Sequence, residues 1–181
     1  IRSFYEHVVK RLPLSQINDE WLLSAEGFSL NTRGSLRRLK RASDVFISLV
    51  LLVLASPLML ISALIIRLES PGPVIYKQDR VGLHEREFTV YKFRSMRQDA
   101  EKNGAVWASA HDARVTRFGR FIRKVRIDEL PQLINVLKGD MSFIGPRPER
   151  MAFVRELKKT IPYYGLRHTV KPGLTGWAQV C

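Results

Sequence analysis

Hydrophobic positions change their spacing three times along this chain of 181 residues. From residue 1 to about 36, apolar and polar residues mix without a sustained period, and Pro13, Asn18-Asp19 and Gly27 punctuate them. Phe4, Val8, Val9 and Leu12 fit one side of a short helix, and residues 1–36 read as a linker from an upstream region. Val45 to Ile66 then carries no charge at all, and about 22 such residues as a helix match a hydrocarbon layer of roughly 30 Å. Ser56-Pro57 falls in the middle of this run, where proline removes a backbone hydrogen bond and a serine hydroxyl can recapture the freed carbonyl. Cations flank both ends, Arg37, Arg38, Lys40 and Arg41 before and Arg67, Lys77 and Arg80 after. The positive-inside tendency keeps both ends on the cytoplasmic side. A re-entrant helix-break-helix hairpin over 45–66 satisfies the proline and the charge symmetry together, a kinked span satisfies the length, and a buried soluble helix satisfies neither.

Beyond the turn Glu69-Ser70-Pro71-Gly72-Pro73, Val74-Ile75-Tyr76 and Phe88 to Phe93 read as two short strands joined across Gly82-Leu83-His84-Glu85. In the second strand Lys92 and Arg94 share one face, so two cations point together at an anion; a solvated strand face has the same pattern. Gln98 to His111 is polar and aperiodic, suited to a loop over a site. Phe118, Phe121, Ile122 and Val125 then recur at helical spacing opposite Arg114, Arg117, Arg120 and Arg123, as in a helix lying in the headgroup plane. Leu130, Leu133, Ile134 and Leu137 predict a further helix, with Asp128 as N-cap, Glu129 at the first helical position and Pro131 in the first turn, closed by Lys138 and Gly139. Its positive N-terminus, with Arg123, Lys124 and Arg126 nearby, would hold Asp128 ionised and attract phosphate. An ordinary capped helix carries the same signature. Arg147, held between Pro146 and Pro148, has a stiff backbone from which its fork can be aimed at a planar anion. Met151 to Ile161 reads as a helix, and Lys171 to Trp177 as turn chemistry. The expected fold is mainly α with a short β-hairpin, membrane-associated through the re-entrant hairpin and interfacial amphipathic helices.

Charge narrows the partners. Lys and Arg number 30 against 17 acidic residues, a net +13, which implies an anionic partner: nucleic acid, an acidic membrane face or a phosphorylated substrate. Nucleic-acid binding would leave the apolar hairpin unexplained, so no nucleic acid is expected. Cys181 stands alone, which excludes an internal disulfide and a thiolate metal cluster. His168 suits a general base, but a lone histidine is more often packed. There is no P-loop, no Gly-x-Gly-x-x-Gly, no His-Glu-x-x-His and no internal repeat. The absent initiator Met and the ending at Trp177-Ala178-Gln179-Val180-Cys181 read as part of a longer protein.

Several motifs in order resemble one family. They are Lys92-Phe93-Arg94-Ser95-Met96, Arg126-Ile127-Asp128-Glu129-Leu130-Pro131-Gln132-Leu133, Lys138-Gly139-Asp140-Met141-Ser142, Gly145-Pro146-Arg147-Pro148 and Lys171-Pro172-Gly173-Leu174-Thr175-Gly176-Trp177-Ala178-Gln179. Residues 37–181 resemble the catalytic domain of the bacterial sugar transferases, the monotopic polyprenyl-phosphate phosphoglycosyl transferases that start exopolysaccharide and glycan synthesis. The resemblance implies Asp128 as nucleophile, Glu129 as its Mg2+-binding partner, and Arg123 at a phosphate site. It implies Lys92 and Arg147 in nucleotide-sugar binding, with Arg94 beside Lys92 in the same strand motif, and the Ser56-Pro57 break as that of a re-entrant membrane helix. Many members continue past Gln-Val with Asn-Gly and a functional arginine, whereas Cys181 stands here at the asparagine position.

The implied reaction moves a sugar 1-phosphate from a UDP-sugar to polyprenyl (undecaprenyl) phosphate, releasing UMP, through a phosphosugar on Asp128. Mg2+ held by Glu129, with Asp128 beside it, is the implied cofactor, since it prefers carboxylates shared with phosphate oxygens. The implied location is the cytoplasmic leaflet of a bacterial inner membrane, with the site facing the cytoplasm. Two alternatives stay open at this level: direct attack by the lipid phosphate in a ternary complex, and a non-catalytic basic module on the membrane surface. The sugar and any homo-oligomer are also open.

Overall fold

In the computed structural model the residues described are 34–97, 112 and 114–176. Residues 1–33 of the expected linker 1–36, the polar loop 98–111 and the chain from Trp177 onward lie outside them, while residues 34–36 of that linker are helical.

The longest element, α1 (Gly34–Glu69), is helical through 36 residues. An uncharged run needs its backbone polar groups paired within the segment, and a helix does this. Asp44, Ser48, Ser62 and Ile66 form a buried stripe along it, while Val53 and Leu60 are 72% and 71% exposed. The helix is long and apolar enough to cross a membrane. Helical secondary structure carries on through Ser56-Pro57. Pro57 has no N–H to offer the Val53 carbonyl four residues back, and Ser56 Oγ donates to that carbonyl instead at 2.8 Å. The recapture expected of the serine is therefore present, and it lets the helix pass the proline.

Both ends of α1 are tied to one body. Near the start, Arg41 donates to the carbonyls of Val136 and Leu137 at 2.5 and 2.7 Å, and Ser142 Oγ donates to Asp44 at 2.8 Å while accepting from Lys40. Near the end, Ile66 packs with Phe93 and Ile122 in a buried cluster. Arg94 there donates to the carbonyls of Ser70 and Pro71 at 2.6 and 2.8 Å.

The body itself is small. Strands β1 (Ile75–Val81) and β2 (Glu87–Phe93) pair antiparallel, with Ile75 opposite Phe93 and Val81 opposite Glu87. β1 runs five residues past the Tyr76 boundary read from the sequence, to Val81, because Tyr76, Gln78 and Arg80 put polar groups on a face that lines a pocket rather than a core. α2 (Arg117–Lys124) follows, capped by Thr116, whose Oγ1 accepts from Gly119 N at 2.9 Å. A 3-10 turn (Ile127–Gln132) leads into α3 (Leu133–Lys138), which ends at Gly139 with φ +93° as its cap sequence predicts. β3 (Ser142–Ile144), α4 (Met151–Thr160), a 3-10 turn (Tyr164–Thr169) and β4 (Gly173–Thr175) complete the described chain. β3 and β4 pair in parallel, so the stretch Lys171 to Trp177, read as a turn, contains a strand. Val90, Val136 and Met141 form the second buried cluster. Each such side chain contributes about 1.5–3 kcal/mol by leaving water.

Two expectations need correction. Asp128 is not a helix N-cap: it lies inside the 3-10 turn, and Arg126, left-handed at φ +62°, precedes that turn. Pro131 sits within the turn, and the α-helix starts only after it, at Leu133. The apolar side of α2 also divides. Ile122 is wholly buried, but Phe121 and Val125 are 54% and 46% exposed, flanked by exposed Arg117, Arg120 and Lys124.

Candidate active site

Packing of the 3-10 turn against β2 and α2 brings the paired carboxylates to the wall of an open pocket of about 860 Å³, a size ordinary for a small-molecule site. Asp128 and Glu129 are both buried. Three cations converge on one oxygen of Glu129: Lys92 Nζ and Arg147 NH2 each at 3.1 Å and Arg126 NH1 at 3.7 Å from Oε1. Burial pushes the Glu129 carboxyl up, but Lys92 and Arg147 together outweigh it and hold it below the usual glutamate value.

Asp128 goes the other way. Its Oδ1 is buried with no hydrogen-bond partner among the described residues. Burial, and then the neighbouring Glu129 charge, raise its pKa against the pull of Lys92, Arg123 and Arg126. The cations near Asp128 do not hold it more ionised than an ordinary aspartate, because desolvation and a like charge win over them. Lys92 is itself lowered, first by burial, although Glu129 opposes that.

Arg123, from the last turn of α2, lines the same pocket, and its Nε donates to Ser95 Oγ at 2.7 Å. Gly119 lets α2 approach closely enough for this: a Cβ there would stand 2.1 Å from Ser95 O. Lys92, Arg123 and Arg147 are thus brought together with Asp128 and Glu129. Arg94 is not aimed alongside Lys92 at an anion as the shared strand face suggested. Its guanidinium closes the end of α1 through Ser70 and Pro71, while the residue forms part of the pocket wall. Ser56 and Pro57 lie in α1, away from the pocket lining. His168 is buried, 3.9 Å from Glu85, and is absent from the lining of this pocket.

Sequence reasoning missed the clamp on the Pro-Arg-Pro turn. Four successive carbonyls are each bonded: Pro146 by Gly173 N at 3.0 Å, Arg147 by Arg167 NH2 at 2.6 Å, Pro148 by Arg80 NH1 at 3.1 Å, and Glu149 by Val81 N at 2.8 Å. These donors come from β4, the last 3-10 turn and β1, so the backbone beneath Arg147 is fixed from three directions. Nothing local in the sequence signals such long-range bonds, although the Lys171 to Trp177 motif contains one of the donors.

The sequence profile of bacterial sugar transferases matches residues 35–181. Over 142 residues the chain is 56% identical to a UDP-N-acetylgalactosamine-undecaprenyl-phosphate N-acetylgalactosaminephosphotransferase of Aeromonas hydrophila, covering 78% of this chain and 34% of that one. It is 46% identical over 147 residues to a UDP-glucose:undecaprenyl-phosphate glucose-1-phosphate transferase of Escherichia coli (strain K12), covering 81% and 32%. It is 44% identical over 146 residues to the exopolysaccharide production protein PSS of Rhizobium leguminosarum bv. phaseoli, covering 78% and 73%. The chain therefore spans about a third of the length of the first two relatives. The matched region contains the paired carboxylates, the cations around them and the apolar helix, and the chain belongs to the bacterial sugar transferase family.

Proposed function

We propose that this chain transfers a sugar 1-phosphate from a UDP-sugar to polyprenyl phosphate at a membrane surface, with Asp128 as the covalent nucleophile. The observation that carries this reading is the contrast between the two carboxylates: Glu129 is held by cations at 3.1 Å, while among the described residues no cation comes within ion-pair distance of Asp128 beside it. A carboxylate on the pocket wall that no described cation holds at ion-pair distance, amid cations that can take the phosphates, is what attack on an anionic diphosphate requires. Asp128 attacks the β-phosphorus, the bond from that phosphorus to the bridging oxygen breaks, and UMP leaves with the electron pair. An oxygen of polyprenyl phosphate then attacks the same phosphorus and releases the Asp128 carboxylate. Arg123 and Arg147 grip phosphate oxygens through their planar forks, and Lys92 adds a point charge.

The residues present also suit Mg2+. Two adjacent carboxylates, one with a buried oxygen that has no partner among the described residues, are the hard oxygen donors that this ion shares with substrate phosphates. Glu129 and Asp128 would hold it. Bound there, Mg2+ would neutralise charge on the diphosphate.

α1 is read as re-entrant, entering and leaving the cytoplasmic leaflet of a bacterial inner membrane on one side. Its two ends dock at Val136 and Phe93. Val136 packs on Val90, three residues from Phe93 along β2, so the anchors lie roughly 10 Å apart. A straight helix would carry Ile66 about 33 Å from Asp44, which supports a bend at the proline. The exposed Phe121 of α2 and Val125 at its C-cap, with Arg117, Arg120 and Lys124, suit the headgroup region of the same leaflet.

The test is UMP release by the full-length protein in lipid nanodiscs with undecaprenyl phosphate, against UDP-N-acetylgalactosamine, UDP-glucose and UDP-galactose. Labelled UMP should exchange into the active UDP-sugar without lipid acceptor, and a phosphosugar should be trapped on Asp128. Exchange that requires the lipid would instead support direct attack, and absence of UMP release with every donor would remove the enzymatic reading.

A further inference from the structure

The two ends of the pocket differ in chemistry. The end beside α2 is formed by Ser95, Arg97, Arg114, Arg123 and Arg126, next to the exposed Phe121 and Val125. The lining away from α2 comprises Tyr76, Gln78 and Arg80 on β1, Glu149 and Arg150 just before α4, and Phe153 on α4. Tyr76 pairs across the sheet with Lys92, the partner of Glu129, and Gln78 pairs with Val90. Moving from Tyr76 to Gln78 therefore leads about 7 Å along the strand away from the carboxylates.

Gln78 is held in one orientation. Arg80 NH2 donates to Gln78 Oε1 at 2.5 Å, and Gln78 Nε2 donates to the Tyr76 hydroxyl at 2.8 Å. A guanidinium offers only donors, so the amide cannot be flipped without setting its NH2 against Arg80. One amide N–H and one lone pair of Oε1 remain beyond these two bonds, and they are of opposite polarity. The reaction steps described above do not use them.

We propose that Gln78, oriented by Arg80 and Tyr76, reads the imide edge of the donor's uracil, making the β1–α4 end of the pocket its nucleobase subsite. This rests on the UDP-sugar reading of the same pocket. Uracil presents a carbonyl acceptor beside its N3–H donor, which complements the leftover N–H and lone pair of Gln78. Cytosine presents a ring-nitrogen acceptor beside an amino donor on the corresponding edge. It could be met only by the flipped amide, at the expense of the Arg80 bond. Tyr76 and Phe153 supply aromatic surface beside the edge-reading group. The diphosphate then lies toward Lys92 and Arg147, and the Arg123 end is left for the phosphate of the lipid, adjacent to the membrane-facing side of α2.

The test is calorimetric binding of UMP, CMP and inorganic pyrophosphate to the full-length protein in nanodiscs, with UMP release measured in parallel. The wild type should prefer UMP over CMP by about tenfold or more. Gln78→Leu and Gln78→Glu should each collapse that ratio toward one while leaving pyrophosphate affinity within about twofold. Gln78→Glu keeps a partner for Arg80, so it carries the test if Gln78→Leu melts early. An unchanged UMP/CMP ratio in a folded Gln78 variant, or equal weakening of UMP, CMP and pyrophosphate, overturns the subsite while UMP release by the wild type leaves the transferase reading standing. A wild type that neither binds UMP nor releases it overturns both.

Discussion

Replacing Asp128 by Asn should make the protein more stable and inactive at once. Asp128 is 8% exposed, its Oδ1 has no partner among the described residues, and its pKa is raised, first by burial and then by the Glu129 charge. Asn keeps the shape and removes the charge. Relief of one uncompensated buried carboxylate is on the order of 1 kcal/mol, because Lys92, Arg123 and Arg126 already offset part of its cost. For a body of this size that is a rise in Tm of about 2–4 °C. The sign with pH follows from the direction of the shift. A carboxyl whose folded pKa lies above its unfolded value favours folding when protonated, and that contribution is complete below the unfolded pKa and lost as pH rises through the folded one. The Asn variant should therefore gain on the wild type with rising pH, with little difference in mild acid and the full difference near pH 7.5. Differential scanning fluorimetry in nanodiscs between pH 4.5 and 8 reads this directly, and UMP release should fall by about a thousandfold or more. A variant that melts lower than the wild type at neutral pH would mean that the Asp128 charge is a favourable structural ion pair, and the reasoning about an unpaired nucleophile would be wrong.

Asp128 must be ionised to attack, so kcat/KM should decline with acid at a pH above the ordinary aspartate range; a pH–rate profile with its acid limb at or below that range would contradict the burial argument. Arg147→Ala removes one of the two cations 3.1 Å from Glu129 and should weaken UDP-sugar binding roughly 10- to 100-fold, read as KM in the UMP-release assay. Gly173→Ala places a Cβ 2.2 Å from Gly145 N, should destabilise by about 1–3 kcal/mol, and should raise KM by loosening the turn beneath Arg147; a normal melting point would show that β3 and β4 need not approach so closely. Ser43→Cys and Leu68→Cys, at opposite ends of α1, should both react with an impermeant maleimide in inside-out vesicles and neither in intact spheroplasts. Labelling of the two from opposite sides would establish a span.

Much of the fold was legible because its signals are local. The uncharged run became α1, alternation at Phe88 to Phe93 became β2, and Gly139 took the left-handed cap that Lys138-Gly139 announced. What escaped depends on contacts distant in sequence. The polar face of β1 hid five of its residues, since Tyr76, Gln78 and Arg80 face a pocket. Asp128 before an apolar period looks like an N-cap, but the residues 127–132 form a 3-10 turn with Pro131 buried inside it, and the α-helix begins only after that turn. Arg94, one residue past β2, has the spacing of a ligand-binding cation but is drawn to the carbonyls just beyond α1, whose nearness no strand pattern reveals. The carboxylates and Arg147 were found as motifs, whereas the bonds that aim Arg147 join residues far apart in the chain.

Two carboxylates adjacent in sequence and equally buried would ordinarily share one fate, each raising the other. They separate here because the cations are unequally divided. Lys92, Arg126 and Arg147 all reach the same oxygen of Glu129, whereas Asp128 feels Lys92, Arg123 and Arg126 at longer range. Glu129 is therefore biased toward its anion and Asp128 toward its neutral acid, opposite directions within one pair. Such a division of paired carboxyls by environment is the usual route to two roles from one residue type. The unequal division depends on the Lys92 register of β2 and on the clamped turn under Arg147, so the long-range scaffold sets the chemistry of the dyad. Loss of Lys92 or Arg147 should lift the Glu129 pKa, and loss of Lys92 should, through the lost attraction, lift that of Asp128 as well. The acid limb of the pH–rate profile should then move upward in Lys92→Ala, and an unmoved limb would show that burial alone tunes the pair.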